Sequence, residues 1–302
     1  MQYMYSDGVP QPRVPTPRAF DPDSATQRHP RLKIGIVPPA LLYLTPVLIN
    51  KGYNQGMVQT MPKRAYGKTG VQMPVFSLGG AYALQDPNNK PNAIAMIREA
   101  IEAGVYYLDT ARNYRASEQI FGEAIAGMRH KVFLSTKSDA RDYDGAMRDL
   151  QTSLKNLRTD TLDQWIVHHV SYPHEVERLF AKDGALKAFE KAKAEKVVRF
   201  IGVSGHNDPQ VLKTMLERFP FDMVLFPLNP SEVHHPRSFT REFLPFAQKL
   251  GIGLAVMKVV GLGRLVGEGK FTAAELLHYA LSYPIHTAVI VPGDMRQLRS
   301  GG

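Results

Sequence analysis

Between residues 75 and 291 the chain alternates eight short apolar runs with seven amphipathic stretches. The runs are 75–78, 105–108, 132–134, 165–167, 198–203, 223–226, 254–257 and 288–291. None alternates polar with apolar residues, so each reads as a strand buried on both faces. The stretches between them carry helical periodicity. Ile94, Ile97 and Ile101 share one face, Met147, Leu150, Leu154 and Leu157 a second, and Phe243, Phe246, Ala247 and Leu250 a third. Repeated strand–helix units demand parallel strands with right-handed crossovers. Eight units point to a closed (β/α)8 barrel, the TIM barrel of the α/β class. No Gly-x-Gly-x-x-Gly follows the first run, which weakens a doubly wound dinucleotide fold.

The two ends of the chain break this rhythm. Residues 1–60 hold nine of the 22 prolines, in runs such as Pro10-Gln11-Pro12-Arg13-Val14-Pro15. They read as a Pro-rich, disordered leader. The barrel domain then spans 61–302, with Met61 expected as its natural start. After Val291 only eleven residues remain. The eighth outer helix is therefore expected to be largely missing, leaving an apolar strip of the sheet uncovered.

Composition excludes several classes. There is no cysteine, which removes disulfides, thiolate metal sites and cysteine nucleophiles. The net charge of +9 is spread along the chain with no basic run and no recognition motif, so no nucleic-acid partner is expected. The longest apolar segment, 34–49, is broken by Pro38, Pro39 and Pro46, so no membrane span is expected either. The expected location is the cytoplasm, and oligomeric state is not legible.

In such a barrel the chemistry sits where the strands end. Asp109 and Tyr114 follow the second run, Lys137 the third, and His168-His169 the fourth. Each alone has a structural explanation: a turn cap, a half-buried ring, a solvated cation, a core imidazole. Together they aim a carboxylate, a phenol, an ammonium and an imidazole at one rim. A phenol with its ordinary pKa near 10 is a poor acid at neutrality. A nearby ammonium is expected to lower that pKa, and a carboxylate to keep the ammonium charged. Such a set can protonate a carbonyl oxygen while hydride attacks the carbon. No side chain supplies hydride, so a nicotinamide cofactor is implied. A metal-dependent hydrolase is the weaker alternative. His168-His169 and His234-His235 are paired, but neighbours on a strand face opposite ways, so no metal site is expected.

These motifs resemble the aldo/keto reductase superfamily over residues 61–298. They are Asp109-Thr110-Ala111-x-x-Tyr114-x-x-Ser117-Glu118, Ser135-Thr136-Lys137, Leu162-Asp163-Gln164-Trp165-Ile166-Val167-His168 and Ile201-Gly202-Val203-Ser204. The opening Met61-Pro62-Lys63-Arg64-x-x-Gly67-Lys68-Thr69-Gly70 is also similar. The resemblance implies NAD(P)H-dependent reduction of a small aldehyde or ketone, with NADP the expected cofactor and NAD the other. Tyr114 would be the general acid, Lys137 and Asp109 would tune it, and His168 would orient the carbonyl. Tyr82 and His169 would line the substrate pocket. Ser204, Lys258, Gly261, Gly263 and Arg264 would hold the cofactor, the last four from the loop after the seventh strand. Two positions depart from the family. Gly205 and Leu225 stand where many members carry Asn and Gln on the nicotinamide carboxamide, and His206 is the residue left to compensate. With the shortened end, these departures keep a non-catalytic cofactor-binding barrel, or a truncated inactive reductase, as the alternative.

Overall fold

The computed structural model describes residues 61–267 and 269–291. The leader and the expected missing helix lie outside the described residues. The described chain opens with an antiparallel hairpin, β1 (Lys63–Ala65) and β2 (Gln72–Pro74). The repeating units follow as β3 (Phe76–Gly79), α1 (Lys90–Glu102), β4 (Tyr107–Asp109), α2 (Ser117–Ala124), β5 (Phe133–Ser138), α3 (Tyr143–Leu157) and β6 (Leu162–Val167). They continue as α4 (Pro173–Phe180), α5 (Leu186–Ala194), β7 (Val198–Ser204), α6 (Pro209–Arg218), β8 (Met223–Pro227), α7 (Leu244–Leu250), β9 (Gly253–Met257), α8 (Ala273–Leu281) and β10 (Thr287–Ile290). Strands β3 to β10 close into an eight-stranded barrel, each paired in parallel with its neighbours. This is the (β/α)8 fold, and each apolar run contributes to one barrel strand.

Two apolar layers hold it together. The outer layer lies between strands and helices, where Ile97, Leu150 and Leu157 are buried as the helical periodicity requires. Trp165 of β6 stacks on Phe189 of α5 at 3.7 Å between ring centroids. The inner layer fills the barrel with Tyr66, Met73, Tyr107, Phe133, Ile166, Met223 and Leu225.

Two features depart from the sequence reading. The link from β6 to β7 holds two helices, α4 and α5, where one was expected. The hairpin β1–β2 was not anticipated, because its strands are too short to show a period. Its turn residue Tyr66 is fully buried against Tyr107 and Phe133, the first residues of β4 and β5. A Cβ on Gly253, the first residue of β9, would lie 2.7 Å from the Tyr66 ring, so only glycine lets the plug seat. The plug closes the end where the strands begin. Access to the barrel is left to the end where they finish.

Candidate active site

At that open end lies a cavity of about 730 Å³. Its lining includes Tyr82, Asp109, Tyr114, His168 and His169 on one side, and Leu225, Met257, Lys258 and Gly263 on the other. Beneath it, Asp109 at the tip of β4 meets Lys137 from β5. Lys137 Nζ donates to Asp109 Oδ2 at 2.5 Å and to the Thr110 carbonyl at 2.6 Å. Both residues are buried, and Asp109 Oδ1 has no partner among the described residues. The Lys137 ammonium also lies 5.1 Å from the centre of the Tyr114 ring.

The loop carrying Tyr114 is fastened from below. Buried Glu118 accepts from Thr136 Oγ1 of β5 at 2.8 Å and from Asn156 Nδ2 of α3 at 3.0 Å. Ser117 Oγ and Thr110 Oγ1 share a hydrogen bond of 2.7 Å. Ser117 and Glu118 thus hold the turn that presents the phenol.

His168 follows β6 directly, and its ring meets that of Tyr114 at 5.7 Å and 74°. Its Nδ1 stands 3.0 Å from Asp139 Oδ1. The next residue corrects the sequence argument that His168 and His169 must face opposite ways. His169 has φ +57°, so the chain turns out of strand geometry and both rings line the cavity. Ser204 supports that conformation: its Oγ accepts from the His169 N–H at 3.0 Å. Arg141 adds to it, donating to the carbonyls of His168 and His169 at 2.9 and 3.2 Å while paired with Glu175.

The electrostatics correct a second expectation. The Tyr114 phenol is raised, not lowered, because burial outweighs the Lys137 ammonium and the Asp109 and Asp139 carboxylates push the same way as burial. Burial pulls the Lys137 ammonium down, yet the Asp109 carboxylate and the Tyr114 oxygen more than offset it, so the cation is secured. Burial lowers His168 against the pull of Asp139, leaving a neutral imidazole near pH 7.

The family model for the aldo/keto reductases, described as "Aldo/keto reductase family", matches residues 76–276. The chain belongs to that family. It is 31% identical over 229 residues to the uncharacterized oxidoreductase YqkF of Bacillus subtilis, covering 71% of this chain and 70% of that one. It is 33% identical over 138 residues to the methylglyoxal reductase YeaE of Escherichia coli, covering 44% and 46%. The solved aldo-keto reductase AKR11C1 from Bacillus halodurans, holo form, superposes with a TM-score of 0.66 at 23% identity, covering 80% of this chain and 89% of that one. An aldo/keto reductase from Klebsiella pneumoniae, solved in complex with NADP and acetate, gives 0.64 at 21% identity, covering 78% and 87%. Membership of the aldo/keto reductases makes this an NAD(P)H-dependent oxidoreductase.

The geometry sorts the residues expected from the sequence. Asp109, Tyr114, His168, Tyr82, His169, Lys258 and Gly263 line one cavity, with Lys137 directly behind it. Ser204, Gly261 and Arg264 are not in the lining. Ser204 is fully buried against backbone, and Gly261 shapes the turn, donating to the Lys258 carbonyl at 2.8 Å. Arg264 is exposed. Asp139, Arg141 and Asn207 were missed by the sequence reading, which named His206 only as compensating for Gly205 and Leu225; the signal for Asp139 is its place two residues after Lys137.

The site fits a dinucleotide. Burial lowers the half-buried Lys258 ammonium, which makes no ion pair among the described residues and so suits a phosphate. His206 Nδ1 is buried beside it without a partner. Among the described residues no cluster of His, Asp and Glu could hold a metal ion, and no helix is long and apolar enough to cross a membrane.

Proposed function

We propose that this protein reduces an aldehyde or ketone with NADPH, Tyr114 giving the proton to the carbonyl oxygen. The observation that carries the proposal is the arrangement of Tyr114 between the His168 ring and the buried Lys137–Asp109 pair. A reduced nicotinamide, when bound, supplies the hydride. The raised pKa of Tyr114 keeps its proton in place at neutral pH until the carbonyl oxygen gains negative charge. Lys137 stabilises the phenolate left behind, and Asp109 keeps Lys137 charged inside the barrel. Neutral His168 donates a hydrogen bond that orients the carbonyl. Tyr82, 58% exposed at the mouth, and His169 contact the rest of the substrate. Lys258 and the turn at Gly261 and Gly263 hold the phosphates, with exposed Arg264 at its edge. Ser204 serves the site through the backbone of His169. The NADP found in the Klebsiella structure supports the preference for NADPH over NADH. A cytoplasmic setting, where reduced dinucleotides are made, belongs to the same proposal.

The test is oxidation of NADPH and NADH, followed by absorbance, with a panel of aldehydes, ketones and quinones. Tyr114→Phe is expected to lower kcat by roughly 10²–10⁴ while cofactor binding and unfolding stay as in the wild type. Equal turnover by Tyr114→Phe, or none by the wild type on any carbonyl, sinks the proposal.

A further inference from the structure

The wall of the cavity formed by the ends of β7 and β8 offers a bound cofactor little to hold. A Cβ at Gly205 would lie 2.8 Å from the Val170 carbonyl oxygen and 2.9 Å from Leu212 Cγ. Position 205 therefore takes no side chain without moving backbone. Leu225 faces the cavity with hydrocarbon alone. Beyond Gly205 the chain turns back, and His206 and Asn207 enter the lining. His206 packs its ring on that of His169 at 4.8 Å, and His169 in turn lies 6.3 Å from the His168 ring. His206 therefore stands at the end of the cavity that holds Tyr114 and His168, where hydride must be delivered. Its Nδ1 is buried and has no partner among the described residues. Native interiors seldom leave such a nitrogen unpaired, so a ligand atom is its natural partner.

The chemistry of the imidazole narrows what that atom can be. Burial, followed by Lys258, His169, His168 and Lys137, pushes the His206 pKa down to about 2. The ring is neutral at any working pH and cannot hold a phosphate by charge. A neutral imidazole has one donor and one acceptor nitrogen. A primary carboxamide also has both, so it pairs with Nδ1 in either tautomer.

We infer that His206 binds the carboxamide of the nicotinamide ring, with Leu225 offering the apolar surface beside it. The inference rests on the reductase reading above and adds the residue that sets how the ring is held. Lys258 takes the phosphates, and His206 takes the amide.

Affinity for NADPH and for 2′-phospho-ADP-ribose, which lacks the nicotinamide, is measured on the full chain by fluorescence titration. His206→Leu is expected to weaken NADPH about tenfold, or ~1.4 kcal/mol, and to leave the fragment within about twofold. His206→Gln, which keeps a donor and an acceptor, is expected to retain NADPH within about threefold. Unchanged NADPH affinity in His206→Leu, or equal loss of both ligands, overturns the inference. If His206→Leu does not fold, side-chain nitrogen NMR of the wild type decides, with His206 assigned through His206→Gln. Its signal must move with NADPH and stay with the fragment; a signal that ignores NADPH overturns the inference. Wild type that binds neither NADPH nor NADH overturns the reductase reading along with it. Wild type that binds NADPH with His206 unaffected overturns this inference alone.

Discussion

Replacing Lys137 with methionine keeps an unbranched apolar stem, one atom shorter, and removes the charge together with its hydrogen bonds to Asp109 and the Thr110 carbonyl. The ammonium is 1% exposed and sits 2.5 Å from Asp109 Oδ2, while Oδ1 already lacks a partner. Lys137→Met therefore strands a bare carboxylate inside the barrel. Breaking a buried pair from one side costs about 3–5 kcal/mol, whereas replacing both partners by neutral groups is often nearly free. With a urea dependence of roughly 3 kcal/mol per M for a chain of this size, the unfolding midpoint falls by about 1–1.7 M. Asp109→Asn/Lys137→Met is expected to recover most of that loss. The assay is urea unfolding followed by the fluorescence of Trp165, the single tryptophan, buried on β6. The double variant is expected to be stable yet slow. One unit charge 5.1 Å from the Tyr114 ring is worth at most about 3 kcal/mol at an effective dielectric near 20, or roughly 10²-fold in rate. An unchanged midpoint in Lys137→Met, or a double variant no more stable than the single one, would refute the view that this pair is tightly held.

Other outcomes follow from the same geometry. Gly205→Asn is expected to destabilise the fold by about 1–3 kcal/mol without tightening NADPH, since the added side chain meets the Val170 carbonyl and Leu212; a stable variant with improved affinity would contradict this. His168 and His206 are both held neutral, with folded pKa values below the ordinary histidine value. The unfolded chain thus binds more protons below about pH 6.5, and stability is lost as pH falls, approaching ~1.4 kcal/mol per pH unit for each histidine. Unfolding midpoints between pH 7 and pH 5 measure that slope, and His206→Gln should make it shallower; an unchanged slope in the variant would count against the burial of a neutral imidazole.

The barrel was legible because parallel strands buried on both faces must be short and apolar throughout, and the helices that cover them must be apolar on one stripe. Those are local constraints, written at 198–203 and in the spacing of Met147, Leu150, Leu154 and Leu157. Asp109, Tyr114, Lys137 and His168 were legible for the same reason: the fold puts every strand's last residues on one rim, so chain position alone assigns a place. The hairpin was not legible, since its strands of three residues are stabilised by Tyr66 filling the barrel and not by their own pattern. Nor was the balance of forces on Tyr114. Lys137 does lower its pKa, as its charge requires, but how strongly burial and two carboxylates oppose it depends on distances no sequence contains. The backbone turn at His169, which brings two adjacent imidazoles into one cavity, and the unpartnered nitrogen of His206 are likewise products of packing. Strand order and residue chemistry are local and survive translation into sequence. Burial, dielectric and the pairing of distant side chains arise only once the barrel has closed.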